Sequence, residues 1–130
     1  MSLISKLLGV SKEKEEKASN VHWIPLTSFS ELDEIEEISK KETVVIFKHS
    51  TRCGISRMVI KQFENKFDEN LKGVKVYYLD LLNYREISDE VGYRFQVLHQ
   101  SPQVLVIKDR VVVAHDSHYN ILSVDLKALL

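Results

Sequence analysis

The run Val44-Val45-Ile46-Phe47-Lys48-His49-Ser50-Thr51-Arg52-Cys53-Gly54-Ile55-Ser56 decides how this chain is read. Val44 to Lys48 is an apolar run of strand length, of the kind that fills a sheet covered on both faces. From Ile55 onward the spacing of Ile55, Met58, Val59, Phe63 and Phe67 is helical. Between the two lies a polar turn holding Cys53, the one cysteine of the chain. A thiol at the turn from a buried strand to a helix N-terminus meets unpaired backbone N–H groups and the positive end of the helix dipole. Both favour the thiolate, the form in which cysteine acts as a nucleophile. Lys48, His49, Arg52 and Arg57 lie close in sequence, and which of them approach the sulfur is left open.

Outward from this stretch, Val21 to Leu26 predicts a short strand near a sheet edge, because Pro25 brings no N–H to a ladder. Ser28 and Glu31 fit a capping box, opening a helix over 29–40 with Phe29, Leu32, Ile35 and Ile38 on one face. Lys40 and Lys41 suit its C-terminal end. Val74 to Asp80, led in by Gly73, reads as a strand, and Tyr84 to Val91 as a short helix closed by Gly92. Gln103–Ile107 and Val111–His115 form a hairpin across Lys108-Asp109-Arg110. A last helix is expected over Ile121 to Leu130, with Ile121, Leu122, Leu126, Leu129 and Leu130 as its apolar set. The order β-α-β-α-β-α-β-β-α gives an α/β fold: a mixed central sheet, parallel through the crossovers and antiparallel at the hairpin, flanked by helices.

The length of 130 residues suits one domain, expected over 21–130 behind an extension of 1–20. With 18 basic and 19 acidic residues the net charge is −1, which leaves no electrostatic case for nucleic acid. A single cysteine excludes an intramolecular disulfide and points to a reducing, cytoplasmic compartment. No segment approaches membrane-spanning length, and Met1 to Val10 lacks the cationic lead and cleavage site of a signal peptide. Leu3, Ile4, Leu7 and Leu8 share one helical face, expected to dock on the domain or fray; Ser11 to Lys17 reads as a solvated mixed-charge linker. The five histidines, His22, His49, His99, His115 and His118, show no ligand pair at zinc spacing, so no metal site is expected. A Cys-His hydrolase would need an oxyanion loop and an orienting third group, and neither is legible.

The element order, with a cysteine after the second strand and Pro102 opening the fourth in His99-Gln100-Ser101-Pro102-Gln103, resembles the thioredoxin fold over about residues 21–130. That resemblance implies a cis Ser101–Pro102 bond lying against Cys53. Gly92 to Val97 is similar to the family's approach to this loop. More closely, Thr51-Arg52-Cys53-Gly54-Ile55-Ser56, Ser101-Pro102-Gln103 and Asp116-Ser117-His118 together resemble the monothiol bacilliredoxins.

This second resemblance implies a thiol–disulfide oxidoreductase in which Cys53 accepts bacillithiol from mixed disulfides on client proteins. Bacillithiol is then a co-substrate, with no cofactor tightly bound, and the partners are bacillithiolated proteins. Ser56 stands where dithiol redox proteins keep a second cysteine; its hydroxyl could donate to the thiolate or solvate the leaving thiol, or only cap the helix, and the choice is left open. Thr51, Arg52, Gly54, Ile55, His99, Ser101 and Pro102 are the expected substrate contacts, the backbone before Pro102 pairing with an extended substrate. Gly54 departs from the pattern, since some members carry proline there. Two other readings stand beside this one. Cys-Gly-x-Ser also resembles monothiol glutaredoxins that carry iron–sulfur clusters, although their Gly-Gly and paired-Asp elements after the hairpin are missing. In a non-catalytic thioredoxin-like binding module, Cys53 would be incidental.

Overall fold

The computed structural model describes residues 20–130, so the expectations for the apolar face at Leu3 to Leu8 and the charged run 11–17 lie outside the described residues. Its strands are β1 (Trp23–Pro25), β2 (Val44–His49), β3 (Lys75–Asp80), β4 (Gln103–Lys108) and β5 (Val111–Ser117). The α-helices between them are α1 (Phe29–Ser39), α2 (Gly54–Lys66) and α3 (Arg85–Phe95). The sheet order is β1-β3-β2-β4-β5. β1 and β2 run parallel to β3, while β4 is antiparallel to β2 and β5 to β4. The mixed α/β architecture read from the sequence is the one observed, and β1 lies at the edge as its proline implies.

Every side chain of β2 is buried, and period-2 alternation sends them to two different cores. Val44 and Ile46 join Leu32 and Ile35 of α1 and Ile87, Val91 and Phe95 of α3 on one face. Val45 and Phe47 join Val59 and Phe63 of α2 with Leu71, Ile121 and Leu126 on the other. Trp23, Phe47 and Phe63 add edge-on and tilted ring contacts at centroid distances of 5.7, 6.0 and 5.1 Å, each such pair adding roughly 0.5–1.5 kcal/mol beyond its burial.

The capping box holds in a shifted form. Glu31 N–H donates to Ser28 Oγ at 3.2 Å, while the Glu31 carboxylate accepts from Thr27 N–H at 2.9 Å, one residue earlier than the usual partner. At the hairpin tip both Asp109 and Arg110 have positive φ, 49° and 68°, as a two-residue turn between twisted strands requires. That tip is fastened to the end of α1: Asp109 N–H donates to Ser39 O and Arg110 N–H to Ser39 Oγ, at 2.6 and 2.9 Å.

Three expectations are corrected. Gly92 does not end its helix. α3 runs on to Phe95, and Gln96 caps it in the left-handed region at φ 54°, with Val97 N–H returning to Gly92 O at 3.1 Å. Glycine at 92 serves close approach instead, because a Cβ there would stand 3.1 Å from Val97 O. The last helix is replaced by two 3₁₀ segments, His118–Ser123 and Lys127–Leu129, separated by extended Val124. Burying Ile121 and Leu126, five residues apart, outweighs one more short helix with a costly nucleus. In α2, the buried face is Ser56, Val59 and Phe63, whereas Ile55 and Met58 are 40% and 51% exposed.

Gln96 occupies a position that glycine takes without Cβ cost. Gln96→Gly is therefore expected to raise stability by about 1 kcal/mol, read from the midpoint of urea denaturation at constant slope.

Candidate active site

The alternation that builds the two cores also aims the polar end of β2. Continuing the pattern, Lys48 falls on the α1/α3 side and His49 on the α2 side, and Cys53 follows four residues later. Cys53 is the N-cap of α2, with extended backbone at φ −99° and ψ 121°. Its N–H donates to Ser50 O at 3.2 Å and its carbonyl accepts from Arg57 N–H at 3.0 Å. The residue is partly exposed, and among the described residues its sulfur takes no hydrogen bond. Thr51, Arg52, Gly54 and Ile55 are exposed around it, and Arg57 Nη1 donates to Thr51 O at 3.4 Å.

Ser56 is fully buried beneath this turn. Its hydroxyl accepts from Ser50 N–H at 3.1 Å and lies 2.7 Å from His49 Nδ1. Its hydrogen bonds therefore run inward, to the turn and to the histidine, and none reaches Cys53. Burial holds His49 below the ordinary imidazole range; Arg57 acts the same way, while Asp80, opposite in the β2–β3 register, and Glu64 offset part of it. A neutral His49 that accepts at Nδ1 from the Ser56 hydroxyl satisfies both groups.

On the other face, the wholly buried Lys48 reaches the segment before Pro102. Its Nζ donates to Ser88 O at 3.1 Å and stands 3.3 Å from Nδ1 of His99. Burial brings Lys48 down to about 8, with Asp89 offsetting part of the effect. Relative to the unfolded chain this costs on the order of 3 kcal/mol at neutral pH, and the cost fades as pH climbs from about 8 past 10.5. Gln103, paired with Lys48 across the β2–β4 register, donates from Nε2 to Leu98 O at 2.9 Å. The Ser101–Pro102 peptide is cis, Pro102 is buried, and Pro102 O accepts from His118 N–H at 3.0 Å. Ser101 Oγ and Gln103 Oε1 are buried without a hydrogen-bond partner among the described residues.

The structure thus brings the 51–56 turn and the 99–102 loop to the same end of two neighbouring strands, with His118 tied to the loop. Sequence reasoning passed over Lys48 as a structural element of the site, along with Ser88 and Gln103. The one available signal was a lysine closing an otherwise apolar central strand. Among the described residues, no three His, Cys, Asp or Glu side chains converge as a metal requires, and no helix is long and apolar enough to cross a membrane. The 340 Å³ cavity lined by Phe63, Phe67, Ile121 and Leu126 lies at the far end of α2 from Cys53.

A mixed sheet of this order, a cis proline opening β4 and a cysteine at the N-cap after β2 define a thioredoxin-fold protein with a single cysteine in the turn after its second strand. Comparison with known structures agrees. A chain described as an oxidoreductase with a thioredoxin fold is 32% identical, with a TM-score of 0.66 over 78% of this chain and 88% of that one. Thioredoxin from Malassezia sympodialis is 20% identical (TM-score 0.64, covering 84% and 87%), and that from Trypanosoma brucei brucei 17% (0.63, covering 83% and 88%); these two speak to the fold alone. Residues 24–126 match the family model of monothiol bacilliredoxin BrxC, and the chain belongs to that family.

Two outcomes follow from this geometry. The Cys53 backbone already has the extended conformation preferred before proline, and a Cβ at Gly54 meets only Arg57 Nη2, at 4.0 Å. Gly54→Pro, at the first helical position, is expected to raise stability by roughly 0.4–1 kcal/mol in chemical denaturation. His49 has a folded value below its unfolded 6.5, so the unfolded chain takes up the proton first. Stability is expected to fall as pH drops below about 6.5 and on through the folded value, and denaturation at stepped pH should show this slope reduced in His49→Gln.

Proposed function

We propose that this protein removes bacillithiol from mixed disulfides on client proteins, with Cys53 as the exchanging thiol. Membership of the monothiol bacilliredoxin family supports the choice of small thiol. The observation that carries the one-thiol cycle is Ser56: the place of a resolving cysteine holds a buried hydroxyl engaged with His49 and Ser50.

The Cys53 thiolate attacks the bacillithiol sulfur of the mixed disulfide. The sulfur–sulfur bond of the mixed disulfide breaks, the client leaves as a thiolate that takes a proton from solvent, and Cys53 carries bacillithiol. No second cysteine in the chain displaces it. A second bacillithiol thiolate attacks the adduct, forming bacillithiol disulfide and restoring the Cys53 thiolate. The exposed turn around Cys53 and the backbone ahead of Pro102 are the surfaces that would receive the client, with Thr51, Arg52, Gly54, Ile55, His99 and Ser101 at their rim. Ser56 supports the turn that presents the thiol, and its hydroxyl bonds to His49 and Ser50 rather than to the sulfur. This chemistry suits a reducing, cytoplasmic setting.

Mass spectrometry after mixing the protein with bacillithiolated and with glutathionylated clients tests the reading. The expected product is a bacillithiol adduct on Cys53, absent in Cys53→Ala. Ser56→Ala should keep the transfer while losing about 1–3 kcal/mol of stability, the cost of leaving buried partners unpaired. Adduct transfer from the glutathionylated client alone would remove bacillithiol from the scheme.

A further inference from the structure

Lys48 is a wholly buried cation at the end of the central strand. Among the described residues it forms no ion pair with a carboxylate; its contacts are Ser88 O at 3.1 Å and His99 Nδ1 at 3.3 Å. An ammonium group has donors only, so His99 Nδ1 accepts, and the ring proton of a neutral His99 resides on Nε2. The Ser88 hydroxyl stands 3.4 Å from the same Nδ1 and can donate to it in that tautomer.

Protonating Nδ1 would set two cations 3.3 Å apart and break the contact. The charged groups that bear on the pair are few. Asp89 favours the charged form of both, whereas Lys48 and Arg85 oppose a charge on His99. Burial, with Lys48 behind it, keeps His99 below the ordinary imidazole range. The same polar layer reaches the backbone, since Gln103 holds Leu98 O at 2.9 Å. Leu98 and His99 are thus tethered by side chains from β2 and β4, and Ser101-Pro102 follows within the same loop.

We propose that Lys48 is a positioning residue for the thiol exchange, clamping the 98–101 loop through His99 and fixing that histidine as a neutral Nε2–H donor for an oxygen acceptor of the incoming mixed disulfide. This rests on the reading of Cys53 as the exchanging thiol. A residue kept for positioning at a cost to the fold has a distinctive signature: its apolar replacement leaves the protein as stable or more so, and less active.

The test uses the full chain, wild type and Lys48→Met, with a bacillithiolated protein as substrate. Expected are a melting temperature at or above that of wild type and a loss in kcat/KM of roughly ten- to a hundredfold, mostly through KM. Nitrogen-15 NMR of the histidine rings in wild type should show His99 protonated at Nε2, and its titration should move upward in Lys48→Met. Wild-type kcat/KM in Lys48→Met, or an Nδ1–H tautomer in wild type, overturns the role of Lys48. A variant that loses activity only in proportion to a lowered melting temperature overturns it as well. Should Lys48→Met not fold, the wild-type tautomer decides. Wild type that leaves every mixed disulfide intact overturns the Cys53 reading itself, an outcome separate from all of these.

Discussion

Complete burial of β2 is the constraint on which the rest of the molecule depends. A strand flanked by β3 and β4 and covered on both faces has no slack in register, because a slip of one residue would exchange its two cores. Val44 and Ile46 commit α1 and α3 to one side; Val45 and Phe47 commit α2 and the C-terminal segment to the other. Once those are seated, the places of the next residues follow. Lys48 must enter the α3 side and His49 the α2 side, and the chain emerges at Cys53 into the first turn of α2.

The chemistry of the site is thereby divided across the sheet. Below the thiol, His49 and Ser56 form a neutral buried pair that shapes the turn. Across the strand, Lys48 and Gln103 reach the segment ahead of Pro102. The sulfur itself stays clear of protein hydrogen bonds among the described residues, which leaves it open to a sulfur from outside. By burying Ser50, Ser56 and His49 beneath the turn and Lys48, Ser88 and Gln103 beside the loop, the fold has put its polar groups into support of both.

Much of this was legible in the chain. The strand-to-helix turn and the hairpin rest on local pattern and stand where pattern puts them; the capping signal at Ser28 and Glu31 holds in shifted form, and the cis proline loop followed from the resemblance to the thioredoxin fold. What escaped reading was set by tertiary choice. Gln96 rather than Gly92 takes the left-handed cap, a substitution that sequence preference argues against. The C-terminal apolar residues have helical spacing, but Ile121 and Leu126 plug the core separately, Leu122 and Leu129 pack at its margin, and Leu130 is exposed. The helical phase of α2 was misjudged because Ile55 and Met58 look like core, while Ser56 aligns with Val59 and Phe63 on the buried face. The contact of Lys48 with His99 spans 51 positions, beyond the reach of any local rule.

The 3₁₀ segment that replaces the last helix has an effect beyond filling the core. By passing His118 N–H to Pro102 O, it ties the proline loop at a second point, beside the bond from Gln103 to Leu98 O. A partner strand arriving there meets backbone whose conformational freedom was already surrendered during folding. The entropy of ordering that rim does not fall on the encounter, so even a small contact can be selective without being long-lived. A rigid rim with a small footprint would reconcile recognition with release in the exchange proposed for Cys53.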